Sequence, residues 1–169
     1  DGKGQNSYQI AIVSNHLRIL EILLQICPPK KRYGLVPLAV QSNSLESLEM
    51  LLENGIPVDE RSSNGTYALH MAAQMGNLEM TKMLLKYKAD IDQSNFNSGK
   101  TALYYTISLS NPGCEEVFNY LLSEKADPNW TDNTLETPLH QAVRNEKLSY
   151  AARLLSKGAK IDMPNDKGE

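Results

Sequence analysis

Leucine doublets punctuate the chain at Leu23-Leu24, Leu51-Leu52, Leu84-Leu85, Leu121-Leu122 and Leu154-Leu155, in steps of 28, 33, 37 and 33 residues. Upstream of each doublet lies a second apolar marker, at Tyr8, Val36, Leu69, Leu103 and Leu139, set 15, 15, 15, 18 and 15 residues before the first leucine. Five units with a period of about 33 residues are therefore written in the apolar positions alone. Within a unit the spacing is helical. Leu69, Ala72 and Ala73 recur at i, i+3 and i+4, Gly76-Asn77 breaks the run, and Leu78, Met80, Thr81, Met83, Leu84 and Leu85 resume it. Each unit is thus expected to be a pair of short antiparallel helices. A pair this short cannot bury its own apolar stripe, so its stability must come from stacking on its neighbours.

Small residues on the first helices, Ala72, Ala73 and Ala142, leave room for the next pair. Gly55 and Gly158 sit where a helix end needs a left-handed residue, and Lys88 and Lys125 hold the same place at some cost. The three extra residues of the fourth unit fall at "SNPGC", residues 110–114, where Pro112 and Gly113 belong in a turn. Polar stretches rich in Asn and Ser follow each doublet and read as extended turns projecting from the stack.

The segments "GTYALHMAAQMGNLEMTKMLLKYKADID" (65–92) and "TPLHQAVRNEKLSYAARLLSKGAKID" (137–162) resemble the ankyrin-repeat pattern. The resemblance extends over essentially all 169 residues: an all-α repeat solenoid, with repeats at about 1–28, 29–61, 62–95, 96–131 and 132–164 and a sixth opening at 165–169. It departs from the family in its first repeat, which lacks the Pro, His and terminal Asp-Val-Asn features, and in its second, where Gly34 and Pro37 stand in place of Thr and His. The link between the first two repeats is also about five residues short, at "CPPKKR". By the resemblance, Thr137 caps a helix with Pro138 at its first position, and His140, like His70, ties hairpin to helix.

Charge and candidate chemistry narrow the function. With 41% apolar residues and a net charge of −3, the chain lacks the cationic surplus that phosphate backbones require, so nucleic acid is not an expected partner. No apolar run reaches the roughly 20 residues of a membrane span, and no signal-peptide pattern opens the chain. Cys27 and Cys114 lack metal or redox spacing and read as free thiols of an intracellular protein, cytoplasmic or nuclear. Neither metal nor cofactor is expected. His16, His70 and His140 have no third ligand near them, and the sequence carries no GxSxG, no phosphate loop and no paired carboxylates aimed at a cleft, so no catalytic residue is assigned. The absence of an initiator methionine and the ending "NDKGE" read as a piece of a longer protein. "PKKR" (29–32) is a basic patch for targeting or partner contact, or simply a solvated tip. The sequons at Asn64 and Asn129 matter only in a secreted chain, and Asn129 also resembles hairpin asparagines that are hydroxylated in some family members.

What the resemblance implies is a non-catalytic module that binds another protein through hairpin tips and the concave face of the first helices, monomeric within its parent. The alternative is a targeting segment of a larger enzyme or effector. Carried over by position, the partner-binding residues are Ser63, Asn64, Thr66, Gln74 and Met75 in the third repeat. The fourth supplies Phe96, Asn97, Lys100, Ser108 and Leu109. The fifth supplies Asn133, Glu136, Arg144 and Asn145, with Trp130 just before its tip. Phe96 and Trp130, aromatic rings in polar surroundings, are either partner anchors or folded back on neighbouring hairpins.

Overall fold

The computed structural model describes residues 6–26, 34–62, 64–109 and 111–168. Among these residues ten α-helices form five antiparallel pairs and no strand is present. The pairs are α1 (Ser7–Val13) with α2 (Leu17–Ile26), α3 (Leu35–Gln41) with α4 (Leu45–Glu53), α5 (Ala68–Met75) with α6 (Leu78–Lys86), α7 (Ala102–Ser108) with α8 (Cys114–Ser123), and α9 (Pro138–Arg144) with α10 (Leu148–Ser156).

Two backbone devices recur along the stack, each in four of the five pairs among the described residues. Between first and second helix the chain turns through a left-handed residue, Asn15, Asn43, Gly76 or Glu146. The next amide then reaches back to an alanine carbonyl: His16 to Ala11, Ser44 to Ala39, Asn77 to Ala72, and Lys147 to Ala142. After the second helix, Gly55, Lys88, Lys125 and Gly158 turn left-handed in the same way. Here the closing amides of Ile56, Ala89, Ala126 and Ala159 find the carbonyls of Leu51, Leu84, Leu121 and Leu154, the first leucine of each doublet. The doublet therefore marks both a core side chain and the carbonyl that ends the helix. At Lys88 and Lys125 a side chain occupies a conformation that costs an L-residue about 1 kcal/mol.

First helices stack on first helices, α1 through α9, and second helices on second helices, α2 through α8. The core between the rows holds Leu20, Leu48, Leu51, Met80, Leu84, Leu103, Ile107, Phe118, Leu121 and Leu154, all fully buried. Ala39, Ala72, Ala102 and Ala142, all on first helices, are fully buried. The two end faces of the stack stay apolar and exposed: Ile19, Ile22 and Ile26 at one end, Val143, Leu148 and Leu155 at the other.

The departures in the first two repeats have local substitutes. Asn6 caps α1 by accepting the Gln9 amide at 3.0 Å, Gln9 returns its side-chain oxygen to the Asn6 amide at 2.9 Å, and the Tyr8 hydroxyl donates to Leu23 at 2.6 Å. The link at "CPPKKR" and Cys27 lie outside the described residues. In the fourth pair Ser110 is likewise outside them, and the remainder of the insertion leaves α8 intact from Cys114. The insertion is knitted to its neighbours: Asn111 donates to the Gln74 carbonyl at 2.7 Å, and the buried Cys114 thiol lies 3.6 Å from the Ala73 carbonyl. From the other side, Lys147 donates to Leu109 at 2.8 Å.

Candidate interaction surface

The projecting turns are built on one corner residue per unit: Ser62, Asn95, Asp132 and Asn165. Each corner's carbonyl accepts an amide three or four residues on, from Gly65, Gly99, Leu135 and Gly168. The first three corners also donate back across the turn, Ser62 to Thr66, Asn95 to Lys100 and Asp132 to Glu136. Side chains finish the closure. Asn95 Oδ1 accepts the Asn97 and Ser98 amides, and Asp132 Oδ1 accepts the Thr134 and Glu136 amides and the Thr134 hydroxyl. These short polar residues form local turns because their oxygens reach backbone amides two to four positions ahead.

Successive tips are tied into one ridge. The Asn97 side-chain amide donates to the Asn64 carbonyl at 2.8 Å, and that of Asn133 donates to the Asn97 carbonyl at 3.1 Å. The backbone adds Phe96 to Gly65, Asn133 to Ser98 and Asp166 to Thr134. Asn64, Asn97 and Asn133 thus lie together, exposed, along the ridge. Thr66 is half-buried behind it, its hydroxyl accepting from Asn95 at 3.2 Å. Ser63 lies outside the described residues.

The two aromatic candidates diverge. Phe96 is 71% exposed, with the Arg61 guanidinium 5.0 Å from its ring centroid. Trp130 is 36% exposed and folds against the preceding hairpin, its indole N–H donating to the Gly99 carbonyl at 3.1 Å. Asn129 beside it joins hairpins too, donating to Gly158 at 3.0 Å and accepting the Lys160 amide at 2.8 Å.

On the first helices, Gln74, Arg144 and Asn145 are exposed, while Met75, Ser108 and Leu109 are half-buried. Asn145 donates to Ile107 at 3.3 Å, and Ser108 to Tyr104 at 3.1 Å. Glu136 departs from the sequence expectation of a solvent-facing residue: it is 6% exposed. Its carboxylate meets the Arg144 guanidinium at 2.6 Å and takes the Tyr104 hydroxyl at 3.4 Å, which draws it inward. Tyr104 also donates to Gln141 at 2.8 Å. Burial and the neighbouring Glu136 and Asp132 charges push the Tyr104 hydroxyl well above its ordinary range. Lys100 rides over this network, 4.4 Å above the Tyr104 ring and 3.9 Å from Asp132.

His70 and His140 serve the scaffold. His70 Nδ1 accepts the Tyr67 amide at 3.3 Å, which leaves Nε2 to donate to the Gln93 carbonyl of the next turn at 2.7 Å. Burial lowers its pKa to about 4, against the smaller opposing effect of the Gln93 bond, so the ring is neutral. In "TPLH", Thr137 caps α9 by accepting the His140 amide, and His140 Nδ1 accepts the Thr137 amide at 3.1 Å.

Sequence reasoning passed over Glu60 and Arg61. Glu60 Oε2 accepts the Leu35 amide at 3.2 Å, so a carboxylate from the following turn supplies the cap that Gly34 cannot. The signal for it was the missing cap itself at Gly34, next to a turn containing an acid. Arg61 faces an open trough of about 940 Å³ that runs from Gln9 and Gln41 past Pro37, Leu38 and Tyr67 to Phe96.

Comparison with known proteins fits this architecture. A family model described as ankyrin repeats in three copies matches residues 36–132, and a single ankyrin-repeat model matches 134–166. The chain belongs to the ankyrin-repeat family. Ankyrin repeats are generally protein–protein interaction modules, and their domains are typically non-catalytic. Similar proteins include the nuclear factor NF-kappa-B p105 subunit of Gallus gallus, 27% identical over 94% of this chain and 17% of that protein. A putative palmitoyltransferase, ZDHHC13 of Danio rerio, is 29% identical over 78% of the chain and 20% of its own length. The human transient receptor potential cation channel subfamily A member 1 is 32% identical over 82% and 16%. The chain therefore spans a fifth or less of these larger relatives. Among its described residues no helix is long and apolar enough to cross a membrane.

Proposed function

We propose that this ankyrin stack is a non-catalytic docking module that holds a partner protein along the tip ridge and the adjoining face of the first helices. The observation that carries the reading is Phe96, a ring 71% exposed on a row of tips that are hydrogen-bonded to one another. An exposed aromatic side chain on a rigid platform offers apolar area to a partner at little cost in ordering, the character of an interface anchor. Trp130, 36% exposed, contributes a smaller open face on the following hairpin. The test is capture of cellular partners on the immobilised chain, compared with a Phe96→Ala, Trp130→Ala double variant. The variant is expected to keep its helical circular dichroism and to lose the captured protein; equal capture by both chains would refute the reading.

A second reading, in which the same surface targets a larger enzyme, draws on the stretch of the putative palmitoyltransferase of Danio rerio that this chain resembles. It assigns the surface the same task and places any chemistry elsewhere.

A further inference from the structure

The sequence holds two Asn-Gly pairs, Asn54-Gly55 and Asn64-Gly65. In such a pair the asparagine side-chain carbonyl carbon and the glycine amide nitrogen can close a five-membered ring. Glycine, lacking a Cβ, leaves the backbone free to bring them together. The two pairs stand in different settings. Asn54 ends α4, its side-chain amide donating to the Met50 carbonyl at 2.8 Å. The Gly55 amide closes the helix on Leu52 at 3.0 Å, and Ile56 closes it again on Leu51 at 3.1 Å. Asn64, by contrast, is exposed at the tip of a turn. Its Oδ1 accepts from the Ser62 hydroxyl and from the Thr66 amide at 3.2 Å, and among the described residues nothing accepts from its side-chain NH2. Donors on Oδ1 matter because that oxygen takes up negative charge when a nucleophile adds to its carbon. The Gly65 amide donates to the Ser62 carbonyl at 3.0 Å, so freeing it takes the opening of one hydrogen bond at a surface turn.

We propose that Asn64-Gly65 is a self-modification site that converts Asn64 to aspartate and isoaspartate. The Gly65 nitrogen gives up its proton and adds to the Asn64 side-chain carbonyl carbon. The bond from that carbon to the side-chain nitrogen breaks, and ammonia leaves carrying the proton. One water then opens the succinimide at either carbonyl. Opening at the former main-chain carbonyl routes the backbone through the side chain, lengthens it by one methylene and leaves a carboxylate where that carbonyl stood. In the unmodified chain this carbonyl accepts the Asn97 side-chain amide at 2.8 Å, and the adjoining Gly65 carbonyl accepts the Phe96 amide at 3.4 Å. The modification therefore falls where the third tip is tied to the fourth, and it loosens the base of Phe96. It stands whether or not the ridge docks a partner.

The experiment is to age the whole chain in neutral buffer at physiological temperature and follow its proteolytic peptides by mass spectrometry. The Asn64 peptide is expected to exchange NH2 for OH, to take one oxygen from heavy-oxygen water, and to become a substrate for isoaspartyl methyltransferase. The Asn54 peptide should react about tenfold or more slowly, because its ring closure needs the end of α4 to open. In urea the two rates should converge. An Asn64 peptide that stays intact as long as the Asn54 peptide would overturn the proposal, and a preference for Asn64 that persists in urea would show that the folded turn does not set it. Ser62→Ala should slow the reaction about threefold or more; an unchanged or faster rate would refute the part given to the Oδ1 donors. Asn64→Gln should keep its helical circular dichroism and give no product at this position. Against that variant aged in parallel, hydrogen exchange of the Phe96 amide should quicken as isoaspartate accumulates; equal exchange in both chains would refute the loosening of the ridge.

Discussion

His70 shows how one side chain couples a repeat to the next. Its ring is 1% exposed and joins the start of α5 to the following turn through Tyr67 and Gln93. Because its folded pKa is about 4 against an ordinary 6.5, the folded state holds the neutral ring. The stability it contributes is fully present above pH 6.5 and is lost as pH falls through 6.5 toward 4. At about pH 5 the loss is on the order of 2 kcal/mol. Asp59, Glu60 and Asp92, whose pKa values burial raises, act with the opposite sign, since protonating them favours the folded chain. The informative measurement is therefore a difference: urea midpoints at about pH 7 and pH 5 for the wild type and for His70→Gln. The wild type should lose more stability over that interval. An equal loss in both chains would mean that His70 does not carry the effect.

At the scale of elements, the helices were legible because each is announced by a signal within a dozen residues. The leucine doublet, the alanines and the positive-φ turn residues are local in sequence and local in space. What escaped was contributed from a distance: Glu60 caps α3 from 25 positions further along, and Glu136 is drawn inward by Arg144 and Tyr104. Single-residue reasoning cannot see such partners, so Glu136 read as an exposed tip residue. The insertion after α7 escaped in the same way, because its role depends on α5 of the preceding pair. Gly76 and Gly113 meet backbone to backbone there. A Cβ on Gly76 would strike the Pro112 carbonyl, and one on Gly113 would strike the carbonyl of Gly76. Either alanine substitution is expected to cost about 2–4 kcal/mol, combining left-handed strain with the collision. Gly55→Ala is the control, since Gly55 is also left-handed but has nothing within 4 Å of its added Cβ, and about 1 kcal/mol should suffice there. Denaturant unfolding of the three variants checks the order; equal losses would show that the close approach adds nothing beyond strain.

At the scale of the whole molecule, the principal helix packing among the described residues runs within a pair or between adjacent pairs. Each first helix packs on the next first helix, so an internal pair is held from two sides and a terminal pair from one. The sequence conveyed this because periodicity implies it, whereas the candidate interaction surface depends on which side chains the stacking leaves over, and no period encodes that. The ends differ from the middle in burial as well: Ile22 and Ile26 at one end and Val143 and Leu148 at the other are exposed, while Leu51, Leu84 and Leu121 in the middle are fully buried. Stability should accordingly grade along the chain, in the manner of a one-dimensional array with nearest-neighbour coupling. Amide hydrogen exchange under native conditions is expected to open α1 and α2, and then α9 and α10, at free energies below that of global unfolding. The amides of α5 to α8 should exchange only with the whole chain, at rates about tenfold or more slower. A lysine at Ile22 should leave that ranking unchanged, since its side chain already meets water. A lysine at Leu84 should collapse the ranking by unfolding the middle first. Uniform exchange across all five pairs would mean that coupling between neighbours exceeds the stability of any one pair, and that the stack unfolds as a single body.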